Sequence, residues 1–204
     1  MKRLSIVVLT AFDLLLSACQ DFLDINADPN NPQEIPIESR LIGAITMTNG
    51  AAMWRGTREV TAVCQYAASG SATSGAETWR FTSSYFFWQN SYTWAIPNCV
   101  DLVVEGKADG SPHFAGAGRT LEALIFGMLS DQLGAIPVSE AYDGVTTARL
   151  TPAFDPQEEV YRQVIEKLDE AIALFNETEN AKGLNIDNGD IMYQGDINKW
   201  RRFA

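Results

Sequence analysis

Apolar residues recur along this chain at changing spacings, and the changes divide it. From Leu4 to Ala18 they run almost unbroken behind Lys2 and Arg3, with Asp13 the one charge inside the run. A positive start, a short apolar stretch and small Ser17 and Ala18 at its end are the layout of a secretory leader. The stretch is too short to cross a bilayer, which takes about 20 residues. Through residues 20–38 periodicity is absent, and Pro29, Pro32 and Pro36 with Asn26, Asn30 and Asn31 oppose regular structure. Beyond that the spacing turns helical. Leu41, Ile42, Ile45, Ala52, Val60, Val63 and Cys64 predict a helix from Ser39 to about Ala67, interruptible at Asn49-Gly50 or Gly56. Residues 68–84, rich in Ser, Gly, Ala and Thr, predict a polar loop too long to be a simple connector.

Tyr85, Trp88, Tyr92, Ile96, Cys99 and Val103 then return at spacings near 3.6 and predict an amphipathic helix with an aromatic face. Pro97 is expected to kink or restart it. Ser111 and Pro112 suit the N-cap and first position of the next helix, whose ridge is Leu121, Ile125, Met128 and Gln132 and whose stop is Gly134. Ala115, Gly116, Ala117 and Gly118 are all small, so another helix can approach closely there. Asp155-Pro156-Gln157-Glu158 predicts a capping box: Asp155 caps and Glu158 reaches back. Val160, Val164, Leu168, Ile172 and Phe175 follow as the core face, with Glu158 and Arg162 paired on the wet side. A last helical pattern starts near Asn198 and is cut at Ala204, which suggests a fragment of something longer. The sum is an all-α fold of four or five antiparallel helices with no convincing strand pair. Paired helices of this kind make a tetratricopeptide-like scaffold, although no strict repeat consensus is present.

The leader, residues 1–18, ends at Leu16-Ser17-Ala18-Cys19, which resembles the bacterial lipobox. There Cys19 takes a diacylglycerol thioether and, with acyl chains such as palmitate, becomes the mature N-terminus. Each buried methylene contributes about 0.8 kcal/mol, so several chains hold a soluble body on a membrane. Residues 19–38 then read as the lipid-anchored tether and 39–204 as the helical domain. The whole chain carries a net charge of −11, and loss of Lys2, Arg3 and Asp13 with the leader makes it one unit more acidic. Such a surface repels nucleic acid and anionic lipid head groups. Asp24, Asn26, Asp28 and Asn30 have the spacing of a calcium loop, but Pro29 stands where its turn glycine is needed, which favours a turn-forming role. With Cys19 assigned to lipid, Cys64 and Cys99 form either a disulfide or two buried thiols, and their apolar helical surroundings favour the thiols.

Catalytic chemistry has little support. His113 is the single histidine and reads as a surface or capping residue. No zinc-type cluster, P-loop, G-x-S-x-G or dinucleotide fingerprint is present, so no metal, cofactor or catalytic residue is assigned. Asp131 and Glu140 are the carboxylates a glycosidase reading would use, but exposed carboxylates on an acidic protein explain themselves. Aromatic residues are the better lead: Trp79, Tyr85, Phe86, Phe87, Trp88, Tyr92 and Trp94 crowd together. Those at helical spacing read as core. Trp79, on the polar loop beside Arg80, escapes that argument, so Trp79, Arg80 and Tyr85 are the candidate ligand contacts.

Four ordered strings resemble the SusD/RagB-type outer-membrane lipoproteins. They are Cys19–Pro32, which looks like the mature start of that family; Leu133-Gly134-Ala135-Ile136-Pro137-Val138-Ser139-Glu140-Ala141; Thr151–Tyr161; and Gly195-Asp196-Ile197-Asn198-Lys199-Trp200. Leu133 and Ala135 depart from the family's tyrosine and aspartate. The resemblance implies a helical scaffold that captures oligosaccharides, or in some members peptides, at the cell surface. It further implies delivery to a SusC-type TonB-dependent transporter, an outer-membrane location and no catalysis. Members are considerably longer, so the resemblance makes this an N-terminal portion. Only Cys19 carries over as a functional residue, as the acylated position. A helical module that docks a membrane partner without binding ligand is the alternative, and a surface glycosidase a more distant one.

Overall fold

Proline and glycine set most of the helix boundaries. Pro36 precedes α1 (Ile37–Arg55), and its carbonyl accepts from Arg40 N–H at 3.0 Å. Pro112 opens α4 (Pro112–Leu133), and Gly134, at φ 77°, ends it in the left-handed conformation that costs glycine least. Between them lie a short helical turn at Thr61–Val63, α2 (Tyr85–Asn90), a π-helical turn at Ser91–Ala95 and α3 (Ile96–Ala108). After α4 come α5 (Gln157–Asn176) and α6 (Ile197–Phe203). The computed structural model describes residues 35–55, 60–68, 70, 78–79, 85–142, 151–178 and 186–204. Apart from Ile35 they belong to one unit, Pro36–Ala204. Among them β pairing is limited to one antiparallel bridge, Ile136 with Asp155. The fold is all-α, as its periodicity predicts.

α4 is the centre. It packs on α1, α3 and α5, and Phe114, Leu121, Ile125, Phe126 and Leu129 are all buried. Its small residues decide how near the neighbours come. A Cβ on Gly118 would lie 2.8 Å from the Cys99 carbonyl and 2.9 Å from Val103 Cγ2 of α3. One on Gly116 would strike the Phe175 ring of α5 at 2.8 Å. On the α3 side, Gly106 meets the Ala115 backbone in the same way. The predicted close approach is therefore present on two flanks of the same turn.

A chain of charges crosses these helices. Glu122, 3% exposed, accepts from Arg119 at 2.6 Å and from Lys167 at 2.8 Å. Arg119 continues to Glu170 at 2.7 Å, and Glu170 reaches Lys107 at 2.5 Å. Lys167 also stands 5.7 Å from the Phe126 ring centroid, within cation–π range. Burial disfavours ionised Glu170, but Lys107 and Arg119 outweigh it and hold the carboxyl below its usual range. Elsewhere, Arg40 clamps α1 to α3 through Glu105 at 2.6 Å and Asp101 at 3.0 Å.

Aspartates organise the loops. Buried Asp190 accepts from the backbone N–H of Met192, Tyr193 and Gly195 and from Trp200 Nε1 at 2.8 Å. Asp196 caps α6, accepting from Asn198 and Lys199 N–H. Trp200 is wholly buried and stacks on Phe175 at 6.0 Å, tying α6 to α5.

Several sequence expectations need correction. The helix predicted from Ser39 to about Ala67, with a break allowed at Gly56, is described from Ile37 to Arg55 and again as a short turn at Thr61–Val63, and residues 56–59 lie outside the described residues. Its buried face is Ile37, Leu41, Ala44, Ile45 and Ala51, while Ile42 is exposed. Pro97, by contrast, acts as expected: it lies in the first turn of α3, where α-helical bonding restarts after the π turn. The preceding turn widens to π geometry, which accommodates a residue with no N–H to donate, and Asn98 Nδ2 donates to the Trp94 carbonyl. On α5 the buried set is Val160, Val164, Ala171, Leu174 and Phe175, because Ala171 occupies the turn that Ile172 was expected to fill. Ile172 is exposed. Arg162 pairs with Glu159 and Glu166, not Glu158. His113 is buried, with Nε2 3.0 Å from the Glu177 carbonyl at the end of α5. Cys99 is a buried thiol pushed up to about 12, chiefly by burial, but Cys64 is exposed, and neither is in a disulfide.

Gly118→Ala is expected to destabilise the protein by about 1–3 kcal/mol, because the Cys99 backbone cannot yield as a flexible side chain would. Gly127→Ala, also on α4 but with open space around it, should stabilise by about 0.5–1 kcal/mol. Urea unfolding of the two variants checks both signs. A second expectation concerns pH. Glu170 has a depressed folded pKa, so its contribution is present above the ordinary carboxylate range and is lost as pH falls through the folded value. Glu170→Gln should therefore flatten the acid limb of a urea-midpoint profile taken from about pH 7 to about pH 3.

Candidate functional site

The helix from Tyr85 to Ala108 carries its aromatic residues where two loops meet it. Phe87 turns inward and is buried, Trp88 and Tyr92 are half-buried, and Phe86 and Trp94 are exposed, the latter by 48%. Opposite them lies the segment Gly134–Tyr142, joined by the Ile136 bridge to Thr151–Asp155. Tyr92 donates its hydroxyl to the Pro137 carbonyl at 2.6 Å, and Tyr142 donates to the Tyr92 carbonyl, also at 2.6 Å. Each tyrosine thus fastens one side of the contact to the other.

Asp155, expected to cap α5, does different work. Pro156 takes the flanking position at the start of α5, and the Asp155 carboxylate turns back to the preceding loop. It accepts from Val138 N–H at 2.8 Å, Ser139 N–H at 2.7 Å and the Ser139 hydroxyl at 2.7 Å. Burial works against its charge, but these donors outweigh it, so Asp155 titrates below its usual range. Glu140 accepts from Ala153 N–H at 2.9 Å. The two strips are therefore laced together in both directions, by the pair of backbone bonds between Ile136 and Asp155 and by a carboxylate from each strip accepting N–H groups of the other. A reach-back from Asp155 over 17 residues to Val138 leaves no local signal, so helix-start chemistry located the beginning of α5 but not its cap: no side-chain cap bond forms there, and the Asp155 N–H goes to the Ile136 carbonyl and not to Glu158.

Rings rise through this contact from core to surface. Buried Phe126 meets Tyr92 edge-on at 6.3 Å; Tyr92 meets Trp88 at 4.5 Å; Trp88 stacks on Phe154 at 5.9 Å with 17° between planes. Phe154 is 61% exposed. Sequence reasoning placed Trp88 and Tyr92 in the core and did not single out Phe154, which has no periodic partner.

Of the predicted ligand contacts, Trp79 is 61% exposed and sits in a left-handed turn at φ 57°. Arg80 and the side chain of Tyr85 lie outside the described residues, as does Cys19, so the three predicted contacts are not seen together. Asp131 is hydrogen-bonded by the Tyr161 hydroxyl and Glu140 by Ala153, which gives both glycosidase candidates structural partners. Burial raises the pKa of Tyr92, with Tyr142 and Asp155 adding to it; burial likewise raises that of Tyr142. Both hydroxyls stay protonated and act as donors. Among the described residues no group of three or more His, Cys, Asp or Glu is placed to hold a metal, and no helix is long and apolar enough to cross a membrane. A separate groove of about 390 Å³ lies between α1, α4 and α6, bordered by Ile45, Asn49, Leu124, Met192 and Phe203, and is mainly apolar.

Comparison with solved structures locates this architecture. A SusD/RagB family protein from Bacteroides thetaiotaomicron matches at TM-score 0.58 and 23% identity, covering 83% of this chain and 36% of its own. A SusD homologue from Bacteroides fragilis matches at TM-score 0.63 and 20% identity, covering 82% and 33%. A chitin-binding SusD homologue from Flavobacterium johnsoniae matches at TM-score 0.63 and 21% identity, covering 79% and 36%. The chain thus spans about a third of the length of these proteins, and at these identities the likeness is one of fold. No curated protein sequence matches it. The profile of a SusD-like family, described as starch-binding and associating with the outer membrane, matches residues 29–204. With that match over most of its length and the same helical scaffold, the chain belongs to the SusD-like family.

Proposed function

We propose that this protein is a lipid-anchored receptor on the outer surface of the outer membrane, which captures oligosaccharides, or peptides, and passes them to a SusC-type TonB-dependent transporter. The observation that carries the reading is the family match, whose description joins starch binding to the outer membrane. Exposed aromatic rings on a helical scaffold support it. Trp79 offers most of its indole to solvent from a loop, and Trp94 nearly half of its own. An indole face stacks on the apolar face of a sugar ring or on a peptide side chain, and exposure of these two residues speaks against the ligand-free docking module. The chitin-binding structure of the same fold supports a glycan before a peptide.

Binding without chemistry is the role proposed. The carboxylates near the aromatic face hold backbone N–H groups, and the buried tyrosine hydroxyls are engaged as donors. The anchor is Cys19 at the end of its lipobox-like sequence, with residues 20–38 as tether. An acidic body gains nothing from anionic lipid heads, so acyl chains supply the attachment, and at least two are needed for it to persist.

Trp79→Ala is expected to weaken binding to the best oligosaccharide ligand by about tenfold while leaving the melting temperature unchanged, because the ring is largely solvent-exposed. Titration calorimetry of the complete lipid-free protein against oligosaccharide and peptide panels measures it, and silence across both panels would refute the binding role. Cys19→Ala should move the protein from the membrane to the soluble fraction. Mass spectrometry of the native N-terminus should show a diacylglycerol thioether on Cys19 and no residue before it.

A further inference from the structure

We infer that Phe154, backed by Trp88, is a sugar-stacking platform separate from Trp79, and that it accepts neutral pyranoses in preference to acidic ones. The inference rests on the receptor reading above and adds to it a site and a ligand class.

Three observations carry it. The first is the ring itself. Phe154 is 61% exposed, yet its inner face lies against Trp88 at 5.9 Å with the planes 17° apart. An aromatic residue that merely shed water would turn its edge or bury its face. This one presents one face outward and rests the other on an indole that is itself supported by Tyr92 and, through it, by buried Phe126.

The second is rigidity. Both neighbours of Phe154 are pinned. Ala153 N–H is held by Glu140. Asp155 exchanges two backbone bonds with Ile136, at 2.9 and 3.2 Å, and its carboxylate takes three more donors from Val138 and Ser139. A ring held this way loses little freedom when a ligand stacks on it, so more of the contact energy appears as affinity. Phe154 is not needed for any of these bonds, which all run through its neighbours.

The third is charge. The two residues that pin the strip are carboxylates, Asp155 and Glu140, and the donors of Asp155 hold its carboxyl below the usual range against the effect of burial. Carboxylate oxygens accept from the equatorial hydroxyls that rim a pyranose, while its C–H face meets the ring. The same carboxylates, on a chain of net charge −11, repel a uronate or sulfated sugar.

The test uses the complete lipid-free protein and its Phe154→Ala, Phe154→Leu and Phe154→Trp variants. Each is titrated with neutral oligosaccharides (maltoheptaose, chitohexaose, xylohexaose) and with an oligogalacturonate, and melting temperatures are recorded alongside. The expected result is a loss of roughly three- to tenfold in affinity for a neutral ligand in both Phe154→Ala and Phe154→Leu. Phe154→Trp should bind at least as well as the unaltered protein, the melting temperature should hold, and oligogalacturonate should bind more weakly than the neutral sugars. Unchanged affinity in Phe154→Ala overturns the inference, and where Trp79→Ala still weakens the same ligand the receptor reading stands without it. Full affinity in Phe154→Leu also overturns it, since an apolar contact would then suffice without stacking. Oligogalacturonate bound as tightly as the neutral sugars overturns the stated ligand class. An unaltered protein that binds no sugar removes both readings together.

Discussion

Close approach of helices to the middle of α4 is the constraint on which the rest of this structure depends. Two glycines within one turn serve opposite flanks: Gly118 admits the α3 backbone at Cys99, and Gly116 admits the Phe175 ring of α5. Only because both neighbours come this near do Lys107, Glu170, Arg119, Glu122 and Lys167 fall within bonding range of each other. A buried glutamate between two cations is tolerable where geometry is tight and costly where it is loose. Packing therefore comes first, and the ion pairs are its dependants. They add register, because a slip of one turn along α5 would part Lys167 from Glu122 and Glu170 from Arg119.

The acidic composition looks different once its carboxylates are placed. Asp155, Asp190 and Asp196 each gather backbone N–H groups where the chain turns, and Glu122 and Glu170 neutralise cations inside the helical stack. These loops are long-range constructions. Asp190 gathers a turn and then holds the indole of Trp200, which binds the last helix to Phe175. Much of the negative charge is thus architectural. What remains outside is the part that biases the protein against polyanions.

For the receptor role proposed above, this arrangement has a clear use. A stiff scaffold can present aromatic rings at fixed positions, and the contact between the π turn and the Gly134–Tyr142 segment does so for Phe154 through its lacing by Tyr92, Tyr142 and Asp155. The π turn is part of that device. Pro97 cannot continue the bonding pattern of an α-helix, and the widening one turn earlier falls at Ser91–Ala95, the segment that carries Tyr92.

The sequence by itself determined which segments are helical, where α4 starts and stops, and that small residues on α4 would let neighbours close in, because period, proline, glycine and side-chain size act over a few residues. Family membership was also legible there, in four short ordered strings. Tertiary structure alone decided that Ile42 and Ile172 face water, since both fit the period and the choice of face depends on what stands opposite. It alone sent Asp155 away from the helix it precedes, because a helix cap and two loop N–H groups compete for one carboxylate and distance settles the contest. And it alone brought Phe154 onto Trp88, two rings that lie 66 residues apart and share no pattern until Tyr92 and Asp155 draw their segments together.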